Sequence, residues 1–527
     1  MVDLRDDLLS RYPREISFLR GQIQKAHLRL ILGAGVSIPI RFPSWPRLVD
    51  LIASKIGKSS AIGGKLEKSS LTAKVQYLQN LYVDHLRDRG KFFNGVFREE
   101  ESLARWHGIL RECLYQEAID PQEHPYLEAL IGLFKDSKLV VNYNFDDSVE
   151  RLVGKMYPDE TRRGKKPFDT TWSLATPLKD GVLTIHHPNG YIPSRRHEYP
   201  SDRIVFSDET FSDQIIGEQV GNHSLIHHFL QNTFLLIGLS LDDVSLRQHL
   251  RRMALMAPGL NHVLIAHEEA DARYSDEQKS AISRANFEVY NLLTMFLTTD
   301  DMVALIDLLG EERAAFFDRA EKLGVPVKYT FYITGGVGAG KTTSVNQLGS
   351  CYTYDEWVEE SPDLISRPFS DLTADEKEKA DRWIENQFAL KNRALRNCSE
   401  GVHIVDRCPL DPLSFETAST PERARRLKDT IRPGLSNTKI EPGQIVLLEC
   451  PAEELQRRLI SKNKYWSSEV IQKNADSLKS LYERKSYLVS SHDYDVRHMS
   501  KAISRLVFFN SYEPADVDAI LMSKMSQ

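Results

Sequence analysis

The run Gly335-Gly336-Val337-Gly338-Ala339-Gly340-Lys341-Thr342 satisfies the spacing GxxxxGK[ST] at every fixed position. Glycines at Gly335, Gly338 and Gly340 let the backbone curl so that its N–H groups converge on phosphate oxygens at a helix start. Lys341 can then reach the β- and γ-phosphates, and the Thr342 hydroxyl, followed by Thr343, is a hard oxygen donor for Mg²⁺. The implied ligand is ATP or a deoxynucleoside triphosphate with Mg²⁺. Further along, Asp406-Arg407-Cys408-Pro409-Leu410-Asp411 closes an apolar run. Asp406 is placed there either as a base for an acceptor hydroxyl or as an outer ligand of Mg²⁺, and Arg407 offers a forked donor to phosphate.

A second set of polar residues lies in the first 300 residues. Gly33-Ala34-Gly35-Val36-Ser37 follows an apolar run, and Pro43-Ser44-Trp45 comes shortly after it. Asn144-Phe145-Asp146-Asp147, with Glu150 beyond, ends a second run. His186-His187-Pro188-Asn189-Gly190 ends a third, and Gly238-Leu239-Ser240-Leu241-Asp242-Asp243 ends a fourth. The glycine loop alone is weak, because it lacks the full GxGxxG fingerprint and fits a plain strand–helix turn. Polar groups at the carboxyl ends of four separate strands are stronger, because an open α/β sheet binds its ligands there.

The elements that must position these groups follow from the apolar pattern. An amphipathic helix is expected from Leu4 to Lys25, then a buried strand at Leu28–Leu32 breaking at Gly33. A helical stretch runs from Trp45 to Phe134, with Leu48, Leu51, Ile52 and Ile56 at helical spacing. Strands are expected at Leu139–Tyr143, Val182–Ile185, Ile204–Phe206, Thr233–Ile237 and His262–Ala266. A helical segment Asp301–Leu323 stops at Gly324 and Pro326. Strands follow at Tyr329–Thr334, His403–Val405 and Ile445–Leu448, with charged helices at Pro451–Lys462 and Ala475–Val489. The fold class is therefore α/β twice over: an N-terminal Rossmann-like parallel sheet over residues 1–315 and a C-terminal P-loop α/β domain over 326–527, of the size of a small nucleotide kinase, parted near 312–326.

Composition sets limits. A chain of 527 residues exceeds one ordinary core. A net charge of −6 gives no general electrostatic reason to expect nucleic acid or a membrane surface. The five cysteines are scattered, Cys113 being the one before residue 300, so neither a zinc site nor a disulfide framework is expected. The start of the chain carries no apolar run of the signal-peptide kind, and no uninterrupted stretch is long enough to span a bilayer, which points to the cytoplasm.

The N-terminal motifs GAGxS, NFDD, HxNG and GxSxxD, in this order over about residues 20–310, resemble the sirtuin-like domains of bacterial defence proteins. The resemblance implies NAD⁺ as substrate, nicotinamide release rather than deacylation, and an anti-phage role through NAD⁺ depletion. It assigns the diphosphate region to Gly33, Ala34 and Ser37, with Gly35, Trp45, Gly238, Ser240 and Asp242 completing the NAD contacts. Asn144, Asp146 and His187 become the catalytic group, with His186 as the fallback histidine. The chemistry suits them: Asn144 can orient water, Asp146 can bond the ribose or nicotinamide region, and His187 can take a proton. This chain departs from deacylating sirtuins in two ways. Asn189 stands where they carry the histidine, and their four-cysteine zinc module is missing from the sequence. Residues 327–527 resemble the deoxynucleoside and thymidylate kinase group through the phosphate loop and Asp406-Arg407, with Arg457, Arg458 and Lys462 in a lid-like segment. Defence effectors of this kind assemble, so a homodimer or tetramer is implied. Two other readings stay open: a deoxynucleotide kinase regulated by NAD or ADP-ribose, and a non-catalytic nucleotide sensor.

Overall fold

The computed structural model describes residues 3–62, 66–88, 99–157, 168–174, 178–196, 198–220, 224–241, 243–269, 271–367, 371–398, 400–414, 420–432, 439–461, 466–482, 486–492 and 495–526. They form two compact units. The first contains residues 1–5, 25–253 and 262–311; the second contains 6–24, 254–261 and 312–527. Among the described residues no helix is long and apolar enough to cross a membrane.

The first unit is built on seven parallel strands: β1 (Leu28–Leu32), β2 (Leu139–Asn142), β3 (Phe168–Thr171), β4 (Leu183–His186), β5 (Thr233–Ile237), β6 (His262–His267) and β7 (Leu292–Leu297). Their order is β3-β4-β2-β1-β5-β6-β7. Every residue of β1, β2 and β5 is buried, as expected for continuous apolar runs covered on both faces. The register pairs Leu32 with Asn142 and with Ile237, and Val141 with His186. Four strands therefore end at one edge. The chain leaves β1 toward β2 on one side and leaves β5 toward β6 on the other, so the strand order switches between β1 and β5. Such a switch opens a crevice at the carboxyl ends.

The second unit carries β8 (Lys328–Gly335), β9 (Tyr352–Tyr354), β10 (Gly401–Asp406), β11 (Gln444–Glu449) and β12 (Ser486–Ser490), parallel and in the order β12-β11-β8-β10-β9. Tyr332, Val405, Ile445 and Leu447 from the sheet pack with Phe388, Leu427 and Tyr482 from the helices. The sheet's flank is completed from the other end of the chain. Arg20, on helix Pro13–Gln24, forms a buried ion pair with Glu400 at 2.6 Å and lies over the Phe316 ring, 4.0 Å from its centre. The Gln22 side chain donates to the Ser350 carbonyl at 2.6 Å.

Several expectations are corrected. The opening helix is two, Leu4–Arg11 and Pro13–Gln24, because Pro13 cannot donate a backbone N–H and restricts Tyr12 before it. Asp301–Leu323 likewise divides into Thr299–Gly310 and Arg313–Leu323. Ile204–Phe206 is no strand. It is a buried stretch whose Val205 N–H bonds the Asn189 carbonyl while the Phe206 N–H bonds the Thr210 hydroxyl. The helix expected over Ala475–Val489 is Ser468–Tyr482, and β12 follows it, pairing Tyr487 with Val446. β3, β7, β9 and β12 were not anticipated: β3, β9 and β12 are short and only partly buried, and the leucine-rich β7 reads equally as helix.

Candidate functional sites

In the second unit the phosphate loop leaves β8 and enters the short helix Lys341–Asn346. Gly335, Gly338 and Gly340 have φ of 149°, 88° and 91°. A Cβ on Gly335 would also stand 2.6 Å from the Leu448 carbonyl oxygen, so this position requires glycine. Lys341 is buried and donates from Nζ to the carbonyls of Gly335 at 2.8 Å and Gly336 at 3.0 Å. Burial, reinforced by Arg407, lowers its ammonium to about 8, against the pull of Asp406, Glu356 and Asp411. The Thr342 hydroxyl donates to Asp406 Oδ2 at 2.5 Å, and Asp406 Oδ1 is buried without a hydrogen-bond partner. Hydroxyl and carboxylate are hard oxygen donors of the kind Mg²⁺ takes, so Thr342 and Asp406 fit the expected ion. Among the described residues no cluster of three or more histidines, cysteines or carboxylates could hold a metal. Thr343 points to solvent.

Arg407 sits in the left-handed region, φ 72°, a conformation that costs a non-glycine residue about 1–2 kcal/mol. The surroundings hold it there. Its N–H bonds the Ile333 carbonyl at 2.9 Å, and its guanidinium grips Glu356 at 2.7 Å. Sequence reasoning gave no role to Glu356, Lys391 or Asp411, yet all three meet here. Lys391 Nζ donates to the carbonyls of Asp406 at 2.7 Å and Glu356 at 3.0 Å. Asp411 accepts from Thr334 at 2.8 Å and Tyr482 at 2.8 Å. Beside this cluster lies a cavity of about 290 Å³ whose walls include Val337, Trp357, Ile384, Phe388, Arg407 and Trp466. Arg457 and Arg458 both pair with Glu454, and Lys462 lies outside the described residues.

In the first unit the loops that follow β1 and β5 pack backbone to backbone. Gly33 N–H donates to the Ile237 carbonyl at 3.0 Å and Gly35 N–H to the Gly238 carbonyl at 2.8 Å. A Cβ on Gly33 would come within 2.5 Å of the Gly238 oxygen, and one on Gly238 (φ 68°) within 2.6 Å of the Val36 nitrogen. Two loops can touch this closely only without side chains. Ala34 opens the short helix Ala34–Ser37 that follows.

Asn144, Ser37 and Asp146 form one buried chain of hydrogen bonds. Asn144 Nδ2 donates to the Gly33 carbonyl at 2.9 Å and to Ser37 Oγ at 3.1 Å, and Ser37 Oγ donates to Asp146 Oδ2 at 2.8 Å. Asp146 Oδ1 also accepts from the Ser148 N–H at 3.0 Å. Burial raises the Asp146 carboxyl, against the hydrogen bonds from Ser148 and Ser37. His187 joins from β4's end: Nδ1 stands 2.8 Å from the Asn144 carbonyl, and Nε2 stands 2.8 Å from Glu150 Oε1. His186 faces the other way, its Nδ1 3.2 Å from the Thr171 carbonyl, and burial drives it to about 3, so it is neutral. Glu150, quoted in the sequence but given no role, is thus a direct partner of His187.

Trp45 stacks on Phe145 with 5.9 Å between ring centres, and Phe206 closes edge-on against both at 5.3 and 5.6 Å. Ser240 is exposed, and Asp242 lies outside the described residues. Its neighbour Asp243 occupies the last position of the GxSxxD spacing. Its carboxylate caps helix Val244–Met256 through the Leu246 N–H at 2.8 Å and receives a hydrogen bond from Asn189. Burial raises its pKa.

Comparison with known proteins places two domains on these two sheets. Residues 138–290, which contain Asn144, Glu150, His187 and Gly238, match the model of a SIR2-like domain. Residues 330–458, which contain the phosphate loop, Glu356, Lys391, Asp406 and Arg407, match the model of an AAA domain. No curated protein matches the chain. Among solved structures it is similar to the deoxyadenosine kinase of M. mycoides, in one case with dCMP and dCDP bound (16% identity) and in another with dATP (15% identity). Each similarity covers 33% of this chain and 96% of the kinase, at a TM-score of 0.28.

Proposed function

This chain joins a SIR2-like domain to a P-loop domain of the AAA kind, and we propose that it is a nicotinamide-releasing NAD⁺ hydrolase controlled by a nucleotide bound at its P-loop. The observation that carries the reading is the Asn144–Ser37–Asp146 chain at the strand-order switch, with His187 behind it. Cleaving the bond between nicotinamide and ribose C1′ passes through an oxocarbenium-like state that a water molecule must meet. Both N–H bonds of the Asn144 amide are committed, one to Gly33 and one to Ser37. That leaves its carbonyl oxygen to accept from the attacking water and turn a lone pair toward C1′. In this reading Asp146, fixed by Ser37 and Ser148, bonds a ribose hydroxyl and favours the positive charge that develops there. On the same reading the diphosphate lies against the loop of residues 33–37, whose glycines pack on the loop after β5.

The P-loop domain binds ATP or a deoxynucleotide with Mg²⁺ in this reading. The aromatic-walled cavity beside Arg407 and Asp411 favours a second activity, phosphoryl transfer to a nucleoside-type acceptor. The biological role we propose is bacterial anti-phage defence by NAD⁺ depletion in the cytoplasm. The test is incubation of the purified protein with NAD⁺, alone and with each Mg²⁺–ATP and deoxynucleotide combination, followed by product chromatography. Nicotinamide and ADP-ribose are expected in at least one combination; NAD⁺ unchanged in all of them rejects the reading.

Assembly into a dimer or tetramer through the N-terminal domain belongs to the same proposal. Light scattering is expected to give two or four times the 60.2 kDa chain mass. A strict monomer under both resting and NAD⁺-cleaving conditions rejects assembly.

A further inference from the structure

We propose that Glu150 is a positioning residue, whose carboxylate fixes the His187 ring with a proton between the two groups and thereby holds the Asn144 backbone in the site. The inference rests on the NAD⁺-cleaving reading and adds to it a residue outside the motif positions.

Glu150 lies in the first turn of helix Ser148–Met156, which follows Asn144 directly. Its Oε1 is 2.8 Å from His187 Nε2 and also accepts from Thr170 Oγ1 at 3.2 Å, so β3 orients the carboxylate. His187 is wholly buried and Glu150 nearly so. Oε2 of Glu150 is buried without a hydrogen-bond partner, so the carboxylate is committed to the histidine and the threonine. At the ring's other end Nδ1 faces the Asn144 carbonyl at 2.8 Å. A carbonyl oxygen only accepts, so Nδ1 carries hydrogen, and a neutral imidazole then has a bare nitrogen at Nε2. A bare nitrogen against a carboxylate oxygen is repulsive. One further proton must therefore lie between Nε2 and Oε1, whichever atom holds it.

The other groups facing His187 are few. Asp146 is a second carboxylate, the Tyr191 ring lies tilted against the imidazole at 4.9 Å between ring centres, and His186 is uncharged. Burial pulls the His187 pKa down, but Glu150, by charge and by hydrogen bond, together with the Asn144 carbonyl and Asp146, outweighs it, and the net direction is upward. A raised folded-state pKa means that the contribution of protonated His187 is full at low pH and is lost as pH rises through its pKa in the folded protein. The alkaline limb of NAD⁺ cleavage then reports the loss of this proton. Both ring nitrogens are spent on protein partners, so His187 acts here through the Asn144 loop.

The experiment compares the full chain with its Glu150→Gln and Glu150→Asp variants. NAD⁺ cleavage is followed from pH 5 to 10, and the His187 ring resonance, identified by its absence from His187→Ala, is titrated by NMR. Glu150→Gln keeps the side chain's size and removes the charge. It is expected to move the His187 titration and the alkaline limb down together by about 1–3 pH units, the usual effect of losing a close opposite charge. Its kcat at pH 8 should fall at least ~10-fold with KM little changed, because a positioned proton group contributes to the chemical step rather than to binding. Glu150→Asp should restore part of the shift. Superimposable profiles and an unmoved His187 resonance in Glu150→Gln overturn the proposal. If no variant and no parent protein cleaves NAD⁺ at any pH, the hydrolase reading fails while the NMR titration still decides the Glu150–His187 pair.

Discussion

Nicotinamide release is expected to fall at least ~100-fold in Asn144→Ala and in His187→Ala, the range for removing a group that positions or transfers a proton. In Asn144→Ala the loss has two parts. The amide oxygen that would orient water disappears, and the Gly33 carbonyl and Ser37 hydroxyl lose their shared donor. The fold should survive, because the glycine loop keeps its backbone bonds to Ile237 and Gly238. In His187→Ala the Asn144 carbonyl loses its ring partner and Glu150 is left buried without its counter-group, so a moderate loss of stability should accompany the loss of activity. Circular dichroism and thermal unfolding separate the two effects. A folded variant that cleaves NAD⁺ at the parental rate removes that residue from the site. His186→Ala is the internal control: its ring faces Thr171, so it should keep NAD⁺ cleavage within a few-fold of the parent.

Nucleotide binding is expected to weaken ~100-fold or more in Lys341→Ala, and the response of NAD⁺ cleavage to nucleotide should vanish with it. Lys341 is buried at the base of the loop, its hydrogens on the Gly335 and Gly336 carbonyls. An arriving phosphate exchanges those neutral partners for charge-assisted ones, which are about twice as strong. Its ammonium titrates near 8 in the folded protein, below the ordinary lysine value, so the charge available to phosphate is present below that pH and fades above it. Affinity for Mg²⁺–ATP should therefore drop between pH 7 and 9 in the parent and stay flat in the variant. On the proposed reading unregulated NAD⁺ loss would be toxic, so the resting protein would be held mostly inactive. Holding it at about 1% active requires a bias of about 2.7 kcal/mol, which a ligand can reverse only by binding the two states unequally. Calorimetry with ATP and deoxynucleotides, run beside NAD⁺ cleavage in both proteins, checks this. Equal affinities, or identical flat responses, would leave two independent activities on one chain.

Much of the fold can be read from local pattern because each central strand is a short apolar run that ends in a turn residue. β1 and β5 were expected with the bounds they have, since strands buried on both faces leave a continuous apolar signal. The edge strands β3, β9 and β12 carry no such signal, because a half-exposed strand of three to five residues is as polar as a loop. The phosphate loop was legible outright, because its function requires glycines and a lysine at fixed spacing.

What spacing does not encode is which side chains meet. The sequence determined that Asn144 and His187 sit at strand ends; the parallel register brought those ends to one edge. It could not choose between His186 and His187, since neighbouring residues at a strand end face opposite sides of the sheet and only the packed neighbours distinguish them. Glu150, Glu356 and Lys391 looked like ordinary charged residues on helices and loops. They acquire partners only when distant elements converge, as Glu150 does on His187 and Lys391 on the end of β10. Helix Pro13–Gln24 reads as the start of the N-terminal domain, yet it belongs to the unit built on the C-terminal sheet. A buried Arg20–Glu400 pair separated by 380 residues leaves no trace in local sequence; only closure of the tertiary fold brings its two charges within 2.6 Å.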